Sequence, residues 1–498
     1  MIPKNSVIYQ IVIDRFNNDK NNLYEQINSP DYNSRFGNFL GGTFKGITKK
    51  VDYIEDLGAS HIMISPVQKS SSYHCYNWED SFRVNKRFGS EKDLKQMIEE
   101  YHKRNIGVIM DYVSTHVSST HPLFLKNCLN GNEKAKELFI FTEQMKGNPK
   151  YRPYFDEMVY NLTDGKITNL DEKNQTPYLG YFGLAESPLL NLENPKVIEY
   201  HKKVLRHWIE KFGFDHVRFD SGFIQPRGFI GKMQEYLSSI KDIDILAEYW
   251  DFKISSGEGY GFSGGDCRGY SKGEFDIRTT LEFNFRSKNP EFFQKIIDNY
   301  FHFRDSLENH NLVLSISNHD LPRFAEGKNI QKILAALQFT LPSIPLIYYG
   351  EEIGMNQYND GNDRIAQSRD PMRFDLFDEE MFSYYRNLAE FRRKDTIGNL
   401  EISELQINDN GTLLTYKVTS KDKNFFVFLN KEARDKPVNC SHLFHNPNLV
   451  PWDILSQRYL YNNQENNLLV KGESACILEE RRRTSSNSDI KQQLSLEL

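Results

Sequence analysis

Cysteine is scarce and scattered. The five residues Cys75, Cys128, Cys267, Cys440 and Cys476 are odd in number and show no CxxC spacing. That argues against a disulfide framework and fits thiols kept reduced in a cytosol. No apolar run approaches the ~18 residues that a membrane span needs, so no membrane partner is expected. The opening MIPKNSVIYQ lacks a charged stretch followed by an apolar core and a small-residue cleavage site. No secretory signal is therefore expected, and a cytoplasmic location is. A basic stripe with interleaved aromatics is also missing, and the formal charge is −6. Nucleic acid is accordingly not expected as a partner. No internal repeat is found.

What the chain does have is length and aromatic surface. Its 498 residues are too many for one ordinary domain unless that domain is a barrel. Hydrophobic residues at 39% and aromatic residues at 13% supply a large core and aromatic stacking surfaces. Short apolar runs alternate with amphipathic stretches as far as about residue 395. VIYQIVI (7–13), HIMIS (61–65), GVIMD (107–111), FDHVRFD (214–220), IDILAE (243–248), LVLSIS (312–317) and IPLIYY (344–349) read as buried parallel strands. A weaker sixth strand is expected near 274–285. EKDLKQMIEEYHKRN, NPKVIEYHKKVLRHWIEKF and QKILAALQF carry helical periodicity.

This pattern predicts an α/β fold, a (β/α)8 TIM barrel, with a doubly wound sheet as the alternative. A long Asn-, Tyr- and Pro-rich connection follows the third strand, and insertions of that length are usually functional. After about residue 397 the pattern changes to alternation with turns, as in TLLTYKVTSKDKNFFVFLNKE, which predicts an antiparallel β domain. The barrel is expected to begin over 1–116, to be interrupted by an inserted domain over 117–190 and to resume over 191–396. A C-terminal β-sandwich over 397–480 and a disordered tail over 481–498 complete the division.

Four stretches fall at the C-terminal ends of the third, fourth, fifth and seventh strands, where barrel active sites form. They are DYVSTH (111–116), HVRFD (216–220), AEYW (247–250) and SNHD (317–320). A strand ending in aspartate often only caps the next helix. Together, however, they gather carboxylates, two histidines and an arginine around one barrel mouth.

With these motifs the chain resembles glycoside hydrolase family 13, the α-amylase family, over nearly its whole length. GGTFKGI (41–47), HCYNWED (74–80), FGSEKDLKQMI (88–98), IPLIYYGEEIGM (344–355) and SRDPMRFD (368–375) extend the likeness. The resemblance implies a retaining glycosidase acting on α-glucans or oligosaccharides, with Asp220 as nucleophile and Glu248 as general acid/base. Asp320 would be the third carboxylate, gripping sugar hydroxyls. Retention needs two carboxyls ~5–5.5 Å apart, one to attack and one to protonate the departing oxygen. Arg218 is expected to keep Asp220 ionised, and Glu248 to stay protonated with help from its acidic neighbours. Tyr76 is implied as a stacking platform, and His116 and His319 as hydrogen-bond partners of the sugar. His74, Asp111 and Arg369 are weaker implications, Asp111 as a structural partner of Arg218.

The departures from the family pattern concern metal and specificity. Thr115, Leu189 and Thr43 stand where the family's usual calcium ligands stand, so neither a cofactor nor a metal is expected. SGFIQ (221–225) replaces the Lys-His pair that typical α-amylases carry after the nucleophile, which points away from starch liquefaction. A transglycosylase, phosphorylase or isomerase using the same intermediate is the nearest alternative, and a non-catalytic carbohydrate-binding relative a more distant one. Linkage, chain length and oligomeric state stay open at this level.

Overall fold

The computed structural model describes residues 2–19, 39–126, 137–141, 178–181, 184–222, 225–226, 228–248, 272–276, 290–306, 312–320, 323, 326–355, 368–394, 400–408, 410–421, 423–439, 449–459 and 467–482. Most of the expected inserted segment 117–190, the tail from 483 onward and the Asn-rich run beyond Asp19 lie outside the described residues.

Eight short strands close into a parallel barrel. They are β1 (Ile8–Ile11), β2 (His61–Ile64), β3 (Gly107–Val113), β4 (His216–Asp220), β5 (Ile245–Glu248), β6 (Lys272–Asp276), β7 (Val313–Ser315) and β8 (Ile344–Tyr348). Each pairs with its neighbours in sequence, and β8 closes the ring on β1. The doubly wound alternative is thereby excluded. Strand β6 starts earlier than expected, at Lys272, and the rest of the expected stretch, 277–285, lies outside the described residues.

Helices cover the outside: α1 (Val51–Leu57), α2 (Glu91–Lys103), α3 (Pro195–Phe212), α4 (Phe229–Ser238), α5 (Phe292–Ser306), α6 (Lys328–Thr340) and α7 (Glu379–Arg393). Local chemistry sets their ends. Ser90 and Asp93 form a capping box on α2. Asn194 caps α3 ahead of Pro195, and Gly213, at φ 91°, stops it in the left-handed conformation glycine tolerates.

The barrel interior is a packed core at its lower end. Ile8, Met63, Ile109, Leu246, Val313, Ile344 and Leu346 form one buried cluster, plugged from below by Ile2. Strand side chains alternate with a period of two, so the residues two positions further along face the same interior. There the character changes from Ile109 to Asp111 and from Leu246 to Glu248. The sequence thus builds an apolar floor and a charged mouth on the same strands.

Beyond α7 the chain forms an antiparallel sheet from β9 (Glu401–Ile407), β10 (Leu413–Ser420), β11 (Lys423–Asn430), β13 (Leu449–Asp453), β14 (Arg458–Tyr459) and β16 (Ser474–Arg482). A two-stranded sheet joins β12 (Lys436–Asn439) to β15 (Asn467–Val470). Phe391 of α7 packs on Phe425, and Tyr416 reaches Thr340 of α6, joining this sheet to the barrel. Two residues expected in the tail belong to β16 instead. Arg481 and Arg482 pair with Val450 and Leu449, and the Arg481 guanidinium lies 4.3 Å over the Trp452 ring. Among the described residues no helix is long and apolar enough to cross a membrane.

Candidate active site

At the mouth, β3 and β4 run in a register that sets Asp111 beside Arg218 and Val113 beside Asp220. The Arg218 guanidinium, itself buried, donates from Nη1 to both oxygens of Asp111 at 2.8 and 2.9 Å and to Asp220 Oδ1 at 3.2 Å. Its Nη2 lies 3.0 Å from Glu248 Oε2. One cation therefore serves three buried carboxyls.

That sharing changes the electrostatics expected of Asp220. Burial pushes its carboxyl up to about 7, against the pull of Arg218, and Asp111 and Asp320 add to the rise. Arg218 alone does not keep Asp220 in the ordinary carboxylate range, because burial outweighs its pull.

Asp320 differs. Its side chain is 27% exposed, against 8% for Asp220 and 9% for Glu248, so it stands at the rim of the site. Burial works against its charge, but His319, Arg369 and Arg218 together hold the carboxyl below its usual value. Arg369 donates to it from Nη2 at 2.7 Å, and its Nε binds the His319 carbonyl at 2.7 Å.

The aromatic residues form a wall. Tyr76 lies near-parallel to His319 at 5.2 Å and 6°, and His74 to Tyr76 at 5.6 Å and 26°. Its hydroxyl donates to Asp111 Oδ2 at 2.7 Å and meets His319 Nε2. Burial drives His116 and His319 down to about 3, and His74 well below its ordinary value. Neutral imidazoles offer hydrogen bonds without charge, which suits a ligand of hydroxyl groups. All ten residues expected at the site converge on this mouth.

Three further residues belong to it. Gln10 meets His319 Nδ1 at 3.1 Å and is the one polar side chain among the apolar residues of β1. Ser221 touches both Asp220 and Glu248. Tyr181, from the inserted segment, stacks on His116 at 4.3 Å. Only Gln10 had a signal in the sequence, a polar residue at an inward position of a buried strand.

The model of the α-amylase catalytic domain matches residues 10–393. The chain belongs to the α-amylase family. It is 29% identical over 398 residues to Alpha-amylase 2 of Dictyoglomus thermophilum, a match covering 78% of this chain and 63% of that enzyme. It is 31% identical over 331 residues to a 4-alpha-glucanotransferase of Thermotoga neapolitana, covering 64% of this chain and 70% of that one. The chain thus spans less than two thirds of the first relative's length. The fold is that of the α-amylase of Geobacillus thermoleovorans in complex with acarbose, at a TM-score of 0.72 and 23% identity, over 97% of this chain and 100% of that one.

The positions that the family resemblance gives as calcium ligands carry side chains that do not suit a hard cation. The Thr115 hydroxyl is engaged with His116 Nδ1 at 3.0 Å, and Leu189 is apolar and buried. Asn191 turns its amide nitrogen, a donor, to the Glu137 carbonyl. The Thr43 hydroxyl caps a helix by accepting from Gly46 N–H and donates to Asp19. Among the described residues no group of three or more His, Cys, Asp or Glu is arranged to hold a metal ion.

Proposed function

We propose that the protein hydrolyses α-glucosidic bonds in malto-oligosaccharides or related short α-glucans, with retention at the anomeric carbon. Asp220 attacks C1 and Glu248 protonates the departing oxygen, then activates water to release the covalent intermediate. The observation that carries this reading is the bridging of Asp220 and Glu248 by one guanidinium and one serine. Such bridging favours the close carboxyl pair of a retaining enzyme over the ~6.5–9.5 Å that an inverting one needs for its water. Asp320, Arg369 and the neutral histidines would bind sugar hydroxyls, and the Tyr76 ring would support the reacting sugar.

Tyr181 on His116 walls one side of the mouth, which supports a preference for chain ends over the middle of a polymer. Efficiency on maltotriose should then exceed that on soluble starch per reactive bond. A rapid fall in starch viscosity with little glucose or maltose released would overturn it. The likeness to a 4-alpha-glucanotransferase favours transfer as a second reading. In the maltotriose reaction, transfer yields products longer than the substrate, whereas hydrolysis yields only shorter ones.

The charge on Asp220 gives a pH prediction. The carboxyl must be ionised to attack, and its value is raised, so the rate should fall as pH drops through about 7. A substrate with a very good leaving group isolates this step, since it needs no acid. Its kcat/KM should show an acid limb above the ordinary carboxylate range, toward 7. A limb near 4 would refute the assignment.

We further infer that activity needs no calcium. Exhaustive chelation should leave activity and Tm unchanged, whereas a resident ion would stabilise the fold by linkage and its removal would lower Tm by many degrees. A cytoplasmic location is supported by the buried free thiol of Cys75.

A further inference from the structure

Ser221 follows Asp220 in the left-handed region, at φ 51°. A residue with a Cβ is held there only when its surroundings fix it. The next turn is pressed against β5: a Cβ on Gly222 would come within 2.8 Å of the Glu248 carbonyl oxygen and 2.9 Å of Ala247 Cβ. Gln225 closes the turn by donating to the Asp220 carbonyl at 3.1 Å.

In this conformation Ser221 reaches both carboxyls. Its N–H donates to Glu248 Oε2 at 2.7 Å, and its hydroxyl donates to Asp220 Oδ2 at 3.3 Å. The same hydroxyl is hydrogen-bonded to Tyr181. A hydroxyl has one proton to give. With that proton on Asp220, the Tyr181 hydroxyl must be the donor to Ser221 Oγ. Tyr181 is itself anchored: its ring lies on His116, its N–H donates to the Ser187 carbonyl at 2.8 Å, and its carbonyl accepts from Leu184 at 2.9 Å.

We propose that Ser221 is the positioning residue that sets Asp220 and Glu248 against each other, and that Tyr181, reaching in from the inserted segment, locks it through its hydroxyl. The inference rests on the roles proposed above for the two carboxyls. It adds a polar link between Tyr181 of the insertion and the reacting centre.

The test compares Ser221→Gly, Ser221→Ala, Tyr181→Phe and Ser221→Gly/Tyr181→Phe. Glycine accepts the left-handed backbone and keeps the N–H, so it carries the test where alanine strains the fold. Loss of a hydrogen bond to a charged group predicts a ~10–100-fold fall in kcat for Ser221→Gly, with KM little changed. A carboxylate deprived of a donor also moves the acid limb of kcat/KM upward. The other titratable groups facing Asp220 are Arg218, Asp111, Glu248, Asp320, Tyr76 and Tyr181, and all but Tyr181 are retained in every variant. Tyr181→Phe keeps the stacking on His116 and should give a smaller loss with a limb shift in the same direction. That loss should vanish in the Ser221→Gly background. An unmoved acid limb in Ser221→Gly, or equal Tyr181→Phe losses in both backgrounds, overturns the proposal. Failure of the underlying reading shows separately, as turnover surviving in Asp220→Asn.

Discussion

Asp220→Asn is expected to lower kcat by about 10⁴-fold or more while raising the melting temperature at alkaline pH. The first effect follows from chemistry: a carboxamide is not a nucleophile toward C1, and no other group in the cluster can replace a lost covalent step. The second follows from crowding. Asp220 is buried among Asp111, Glu248 and Asp320 and shares the Arg218 guanidinium with two of them. Its folded value, about 7, lies above that of the unfolded chain. Between those values the native state holds more protons than the unfolded one, so this group's contribution to stability falls as pH rises toward 7. Asparagine removes the penalty and leaves Arg218 paired with Asp111 and Glu248. The gain in Tm should be a few degrees at pH 8 and shrink toward pH 4. Thermal melts across that range, run beside single-turnover assays, measure both effects. Turnover near wild type sinks the nucleophile assignment, and a Tm lowered equally at every pH sinks the electrostatic account.

The barrel was legible because parallel strands covered on both faces read as continuous apolar runs. Seven of the eight strands announce themselves in this way, and KGEFD does not, since its composition is mostly charged residues and glycine. The charged cluster at the barrel mouth was legible for a related reason: aspartate or glutamate at the end of an apolar strand is conspicuous. Asp220 and Glu248 end their strands, and Asp111 and Arg218 stand two residues before the ends of theirs. The division of Arg218 among three carboxyls was not legible, because it depends on the register that sets Asp111 beside Arg218. Ser221 gave no signal, since it acts through a backbone N–H in an unusual conformation, and residue type records neither. Tyr181 lay in a segment without periodicity, where one tyrosine among many carries no address. At the other end of the chain, a run of three arginines read as a solvated tail. The ring of Trp452 and the pairing partners Val450 and Leu449 draw two of them into a strand.

Glu248→Gln should divide substrates by leaving group. Two donors, Arg218 Nη2 and Ser221 N–H, converge on Glu248 Oε2. They fix that oxygen as an acceptor, so the proposed acid role places its proton on the other oxygen. Glutamine preserves the shape and the acceptor oxygen but has no proton to transfer. A sugar departs poorly as an alkoxide, so malto-oligosaccharides should lose ~10²–10⁴-fold in kcat/KM. A glycosyl fluoride or dinitrophenyl glycoside departs without help and should lose far less in its first step. Its second step still needs a base to activate water, and Glu248 is that base in the proposed mechanism. The covalent intermediate should therefore accumulate, giving a burst of released leaving group followed by slow turnover. Azide, which attacks without a base, should restore turnover and yield a glycosyl azide of retained configuration. Equal losses on natural and activated substrates, with no burst and no response to azide, would remove Glu248 from the acid/base role while leaving Asp220 untouched.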